Sequence, residues 1–233
     1  ASKIDWASAK FQSKLDGTCC ILYHDQLQNK WCVSTRSVPE ADQVLNGFDD
    51  LTFRELFDQA LIETTQGHYP CFDDFTVCLN KDCCFIFELT TPKNIVVIPY
   101  KTYRIHLLGI RNKFTGKELS SSEVNHFAYK VLLPRPTEYS LSSVEEMIKF
   151  VDEMNPKENE GIVVIDKYMN RVKVKNAAYV AASHVRSNVG SSPRNILSVI
   201  LEEKWDDVST LLDGMDDILN FGNSLITKLQ TYS

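Results

Sequence analysis

Gly161-Ile162-Val163-Val164-Ile165-Asp166, a polar tetrad Lys167-Tyr168-Met169-Asn170, then Arg171-Val172-Lys173-Val174-Lys175: this stretch decides the fold. Two β-branched runs around a polar turn predict an antiparallel hairpin. After it, from residue 177 onward, no strand pattern recurs. Residues 177–187, 193–204 and 216–231 carry helical patterning instead, with Pro193 at a favoured first-turn position. Before it, residues 18–23 and 30–35 read as a second hairpin, and 83–89, 95–99 and 103–111 as three further strands. Two helices punctuate them. Residues 51–65 have a Thr52/Glu55 capping box and a stripe of Phe53, Leu56, Phe57, Ala60 and Leu61; residues 143–154 have a Ser143/Glu146 box and Pro156 beyond the end. The expected fold class is α+β: a mixed antiparallel domain over residues 1–190, then a small all-helical C-terminal appendage over 191–233.

The 233 residues suffice for one large domain with a small addition. No apolar run approaches the length of a membrane span, and no basic-then-apolar leader opens the sequence. An intracellular protein without a membrane partner is expected. The net charge of −6 argues superficially against a nucleic-acid partner. Its location reverses that reading. Residues 201–218 hold seven acids and one lysine, so the rest of the chain is neutral and can carry a local basic cleft. Cys19-Cys20 and Cys83-Cys84 are adjacent pairs within apolar stretches, where neighbours on a strand face opposite ways. With no C-x-x-C and an odd total of seven, reduced cysteines acting as small apolar residues are expected. Zinc held by Cys71, Cys78 and Cys83 is the competing reading.

Five separated pieces carry chemistry: Lys14-Leu15-Asp16-Gly17, Ser34-Thr35-Arg36, Phe85-Ile86-Phe87-Glu88-Leu89, Glu160-Gly161-Ile162-Val163-Val164 and Lys173-Val174-Lys175. Each alone is weak, since a K-x-D-G tetrapeptide is often just a surface turn with a solvated lysine. In this order, the set resembles the covalent nucleotidyltransferase superfamily of DNA ligases, RNA ligases and mRNA capping enzymes. Within it the sequence is most similar to the ATP-dependent RNA ligases of the bacteriophage tRNA-repair type. That similarity rests on Phe87-Glu88-Leu89 with Pro92, Asn94-Ile95-Val96-Val97 and Pro99-Tyr100, on residues 160–166, and on residues 171–176 continuing to Tyr179-Val180.

The resemblance implies an adenylyltransferase domain in which Lys14 attacks the α-phosphate of ATP and keeps AMP. AMP then passes to an RNA 5′-phosphate, and a 3′-hydroxyl displaces it to seal the strand. It implies that Glu160 supports a divalent metal (Mg²⁺ or Mn²⁺), that Glu88 bonds the ribose, and that Val163 underlies the adenine. It places the main chain at Gln12 and Ser13 against the adenine edge.

Elementary chemistry is consistent with those roles. A free lysine has a pKa near 10.4, so reaching its neutral, nucleophilic form at pH 7 costs about 4–5 kcal/mol. Nearby positive charge lowers that cost. Lys173 and Lys175, two apart on a strand, share one face and can both depress the Lys14 pKa and neutralise phosphates. Arg36 can add a planar fork for phosphate or ribose oxygens.

Two departures from the family pattern stand out. Ser37 replaces the glycine that usually follows the basic residue of the second piece, so a looser loop is expected. Only 13 residues precede Lys14, so the family's N-terminal module is expected to be absent or truncated. Capping guanylyltransferases and DNA ligases are the main alternatives. They continue into an OB barrel, whereas residues after Lys175 read as helices. A non-catalytic relative is the other, against which stand intact Lys14, Glu160, Lys173 and Lys175.

Overall fold

The computed structural model of this chain describes residues 4–36, 38–42, 51–187, 193–212 and 214–232. The chain opens with a 3-10 turn at Trp6–Ser8, then β1 (Lys10–Lys14), β2 (Thr18–Asp25) and β3 (Lys30–Thr35). Two helices follow, α1 (Phe53–Thr64) and α2 (Phe72–Thr76), then β4 (Cys83–Thr90), β5 (Arg104–Asn112), α3 (Ser121–Lys130), β6 (Glu138–Tyr139) and α4 (Val144–Glu153). The last hairpin is β7 (Gly161–Ile165) with β8 (Arg171–Lys175), and the helices α5 (Ala177–Ser187), α6 (Pro193–Leu201), α7 (Trp205–Ser209) and α8 (Asp216–Tyr232) complete it.

Among the described residues the strands form two antiparallel sheets, ordered β6-β1-β7-β8 and β3-β2-β4-β5. Each is covered by helices on one face only. In the second sheet, alternate residues Phe85, Phe87 and Leu89 of β4 with Ile105 and Leu107 of β5 point into a core shared with Leu56, Phe57, Ala60 and Leu61 of α1 and with α3. Fully burying such a side chain contributes about 1.5–3 kcal/mol, which is why α1 docks here. In the first sheet Phe11, Ile162 and Val164 pack on Met147 and Val151 of α4. The opposite faces of the two sheets look at one another. The third core joins α5, α6 and α7 to Val97 and Ile98.

The capping signals act as read, with one change. Thr52 and Glu55 form the complete box at α1, and Thr64 at its other end accepts from the Ile105 amide at 3.0 Å. At α4, Ser143 caps the Glu146 amide, but the Glu146 carboxylate bonds Ser142, so that box is incomplete.

Residues 95–99 are not a strand. The Val97 and Ile98 amides donate to the Asp16 carboxylate instead of to a neighbouring strand, and their side chains serve the helical core. The helix expected over 193–204 stops at Leu201, because Glu203 takes a left-handed φ of 57° and a new helix starts at Trp205. Elements β1, α2, α3 and β6 are additions to the sequence reading. The Ser37 loop and the 190/191 boundary lie outside the described residues.

Candidate active site

Lys14 ends β1 in one sheet and Thr18 begins β2 in the other, so Lys14-Leu15-Asp16-Gly17 is the crossing between sheets. The crossing requires glycine at 17, where a Cβ would lie 2.2 Å from the Leu89 carbonyl oxygen. That close approach lets the Gly17 amide donate to the Glu88 carboxylate at 3.1 Å.

Asp16 is buried and acts as an internal staple. Its carboxylate accepts from the amides of Val97 (2.8 Å) and Ile98 (2.6 Å) and from the Tyr179 hydroxyl (2.5 Å), while its own amide donates to the Tyr100 hydroxyl at 3.2 Å. An unpaired buried carboxylate would cost several kcal/mol, and this one is fully engaged. The fixed turn holds Lys14 at the mouth of the space between the sheets. Burial pushes the Tyr100 hydroxyl pKa up to about 12 and that of Tyr179 up as well, so both stay protonated as donors or acceptors.

Cross-strand register sets what surrounds Lys14. Lys14 pairs with Gly161 and Gly161 with Lys175, giving one row; Gln12, Val163 and Lys173 form the next, two residues along. Gly161 has φ +144°, and a Cβ there would lie 2.2 Å from the Val174 carbonyl oxygen, so only glycine fits the middle of the first row. Glu160, just before it, is buried and shares its two oxygens between Lys14 (2.6 Å) and Lys175 (2.8 Å).

A cavity of about 300 Å³ opens between the sheets. Gln12, Ser13, Lys14, Val163, Arg171 and Lys173 line it from one side, and Cys19, Ile86, Glu88, Leu108 and Gly109 from the other. Its walls are mostly apolar with polar groups at the Lys14 end, which suits a flat heterocycle joined to an anion. Burial raises the Glu88 pKa from 4.5 to about 7, opposed by the Lys14 charge and the Gly17 hydrogen bond.

The structure thus brings six of the sequence-read residues, Gln12, Ser13, Lys14, Glu88, Val163 and Lys173, around one cavity, with Glu160 paired to Lys14 and Lys175 to Glu160. Arg36 lies exposed just past β3 and is not part of the lining. The main chain before Lys14 is partly committed: the Ser13 amide donates to the Thr137 carbonyl at 2.8 Å, and the Gln12 side chain donates to Glu138 at 3.0 Å. Reading the residues singly missed Arg171 and the Asp16 staple. Arg171 had a signal in the period-two series Arg171, Lys173, Lys175. The partners of Asp16 had none, because two of them are backbone amides.

A bound divalent cation has a fitting donor in Glu160, since such an ion is often held by one or two carboxylates plus substrate phosphates. Among the described residues no group of three or more His, Cys, Asp or Glu side chains could hold a metal by itself. Cys71 and Cys78 are exposed, Cys71 donating to Asp74 at 3.0 Å, and all seven cysteines are free thiols. No helix among the described residues is long and apolar enough to cross a membrane.

Comparison with known proteins gives a consistent picture. A family model described as RNA ligase matches residues 4–179. An RNA ligase of Rhodothermus phage RM378 is 28% identical over 244 residues, an alignment covering 90% of this chain and 53% of that protein. Among solved structures, a mutant Naegleria gruberi RNA ligase with ATP and Mn superposes with a TM-score of 0.54 at 13% identity, covering 76% of this chain and 52% of that one. An archaeal ATP-dependent RNA ligase does so with a TM-score of 0.54 at 13% identity, covering 92% and 55%. At that identity the superpositions establish the shared fold. The chain spans about half the length of these relatives.

Proposed function

Since this chain belongs to the RNA ligase family, we propose that it is the nucleotidyltransferase part of an ATP-dependent RNA ligase and takes up AMP on Lys14. The observation that carries this reading is the contact of the Lys14 amine, 2.6 Å from buried Glu160, at the mouth of a cavity lined by Glu88, Val163 and Lys173.

In the proposed first step the neutral Lys14 amine attacks the α-phosphorus of ATP. An N–P bond forms, the bond to the pyrophosphate oxygen breaks, and pyrophosphate leaves. Glu160 is the nearest acceptor for the proton Lys14 must lose. Lys173, lining the cavity one row along, offers its charge to the phosphates, as does Lys175 from the far oxygen of Glu160. The adenosine lies between Val163 and Ile86, with the ribose beside Glu88. Mg²⁺ or Mn²⁺, held by Glu160 with phosphate oxygens, would offset triphosphate charge and assist departure of pyrophosphate. Arg36 at the exposed rim is proposed as a phosphate contact. The main chain at Gln12 and Ser13 is proposed at the adenine edge.

The substrate proposed for the later steps is RNA with a 5′-phosphate and a 3′-hydroxyl, inside the cell. Residues 1–190 are proposed as the transferase domain and 191–233 as a helical appendage. Incubation with ATP and Mg²⁺, followed by intact mass measurement and peptide mapping, tests the core of the reading. One AMP on Lys14 is expected, as an acid-labile phosphoramidate stable to hydroxylamine. Equal labelling of Lys14→Ala would overturn it.

A further inference from the structure

A second cavity, of about 400 Å³, lies at the end of the two sheets remote from Lys14. It is framed by two turns. The end of β5 contributes Arg111, the turn after it Lys117 and Glu118, and the turn between β7 and β8 contributes Lys167 and Tyr168. From Gly161, opposite Lys14, to Ile165 is four residues, so the turn stands about 13 Å along the sheet from the nucleophile.

Three features set this surface apart. It gathers Arg111, Lys117 and Lys167 in a chain whose net charge is −6, with Glu118 as the one acid in its lining. That acid is neutralised by Arg171 at 2.7 Å. Tyr168 is 69% exposed, with the Lys167 ammonium 5.0 Å from its ring centroid. The facing turn has the same composition, Phe114 at 64% exposure with Lys113 5.8 Å from its ring. Lys167 also meets Asp5 at 3.0 Å, an exposed pair that a phosphate can replace at little cost. Finally, the two cavities are joined. Arg171 lines the first, passes over Gly109 with its terminal nitrogen 3.6 Å from where a Cβ would stand, and grips Glu118 in the second.

We infer that this second cavity is a subsite for single-stranded RNA, holding a backbone phosphate between Lys117, Lys167 and Arg111 and stacking a base on Tyr168. Exposed aromatic rings interleaved with lysine and arginine are the sequence-tolerant means of gripping a single strand, since every base has a stacking face and every linkage a phosphate. An inorganic anion or an acidic peptide would use the charges but not the ring. The subsite rests on the proposed ligase reading and extends it: the strand being joined is held about two nucleotides' length from the reacting end, outside the nucleotide cavity.

The test uses a 5′-phosphorylated single-stranded RNA oligonucleotide as probe, with binding read by fluorescence anisotropy over a range of salt. Tyr168→Ala is expected to weaken binding about tenfold, with Tyr168→Phe close to the parent, because stacking needs the ring and not the hydroxyl. Lys117→Ala combined with Lys167→Ala is expected to lower the slope of log affinity against log salt by about two. Lys149→Ala, on α4 behind the first sheet, is expected to leave both unchanged. AMP transfer to Lys14 should persist in all of these variants, so a parent protein that forms no adduct would fail the ligase reading instead. Unchanged RNA affinity in Tyr168→Ala and in the double lysine variant, or no RNA binding by the parent, overturns the subsite.

Discussion

Lys14 and Glu160 form a 2.6 Å ion pair in which the lysine side chain is 15% exposed and the carboxylate 4%. The second carboxylate oxygen is held by Lys175. Removing one partner of a buried pair leaves uncompensated charge, typically at a cost of about 3–5 kcal/mol. Glu160→Ala is therefore expected to lower stability by up to roughly that amount in denaturant unfolding, because it strands the Lys14 ammonium, whereas Lys175 keeps its contact with solvent. Glu160→Gln should recover part of the stability and none of the AMP transfer, a split that a purely structural carboxylate would not produce.

The lysine pair separates shared fold from shared mechanism. Lys173→Ala and Lys175→Ala should stay folded, Lys173→Ala within about 0.5 kcal/mol of the parent. Single-turnover AMP transfer should fall about 10²–10³-fold in each, the usual effect of deleting a positioned group that stabilises developing charge. Lys167→Ala, in the β7–β8 turn, should transfer AMP at close to the parental rate. Equal, modest losses in all three would mean that only diffuse positive charge matters.

Glu88 gives stability a pH dependence of definite sign. Its carboxyl titrates near 4.5 ordinarily and near 7 in the fold, because burial disfavours the charged form. Between those values the native state binds the additional proton, so the Glu88 contribution to stability falls as pH rises from about 4.5 to 7 and is level above that. Glu88→Gln should flatten this part of the melting-temperature profile and be relatively most stabilising above pH 7. A parallel profile in the variant would locate the effect elsewhere.

Gly17 and Gly161 are predicted to tolerate no side chain. In each case a Cβ would sit 2.2 Å from a backbone carbonyl oxygen, Leu89 or Val174, which cannot swing aside as a side chain could. Gly161→Ala adds strain from φ +144°. Both alanine variants should lose more than about 2 kcal/mol by thermal or denaturant unfolding, the range of severe local conflicts. Gly67, at φ +76° with open space around it, should lose less upon the same change.

All seven cysteines should titrate as free thiols in denaturant without reductant. Burial raises the Cys19 and Cys20 thiols, which slows their reaction in the native protein. One tightly held zinc per chain would favour the alternative built on Cys71, Cys78 and Cys83.

Sequence and structure agree best where the signal is local. The β7–β8 hairpin lies where two β-branched runs flank a polar turn, and the α1 cap lies at Thr52 and Glu55. The helix α3, which the sequence reading left out, carries an equally clear Ser120/Glu123 box and a stripe of Val124, Phe127, Ala128 and Val131, a signal as local as that of α1. The stretch 95–99 looked like a strand because Ile95, Val96, Val97 and Ile98 are β-branched. Val97 and Ile98 instead give their side chains to the helical core and their amides to Asp16, neither of which a local pattern contains, while Ile95 and Val96 are exposed. Strand β1 escaped notice for the opposite reason: Gln12 and Ser13 are polar because they line the cavity. The chemistry was legible as residue types in order, whereas the pairing of Lys14 with Glu160, 146 positions apart, is a product of register alone.

The Asp16 staple has a practical corollary for anyone dividing this polypeptide. Its carboxylate is shared with Tyr179 in α5, so the helices beyond Lys175 are wired into the turn that carries Lys14. Trimming the chain after Lys175 would remove one of the three donors to this buried carboxylate and leave it to the amides of Val97 and Ile98. Conversely, two separately expressed pieces, 1–176 and 177–233, would have strong reason to reassociate, with AMP uptake as the signal of their reunion. The seam between Lys175 and α5 is thus a candidate split point for a two-piece form of this chain.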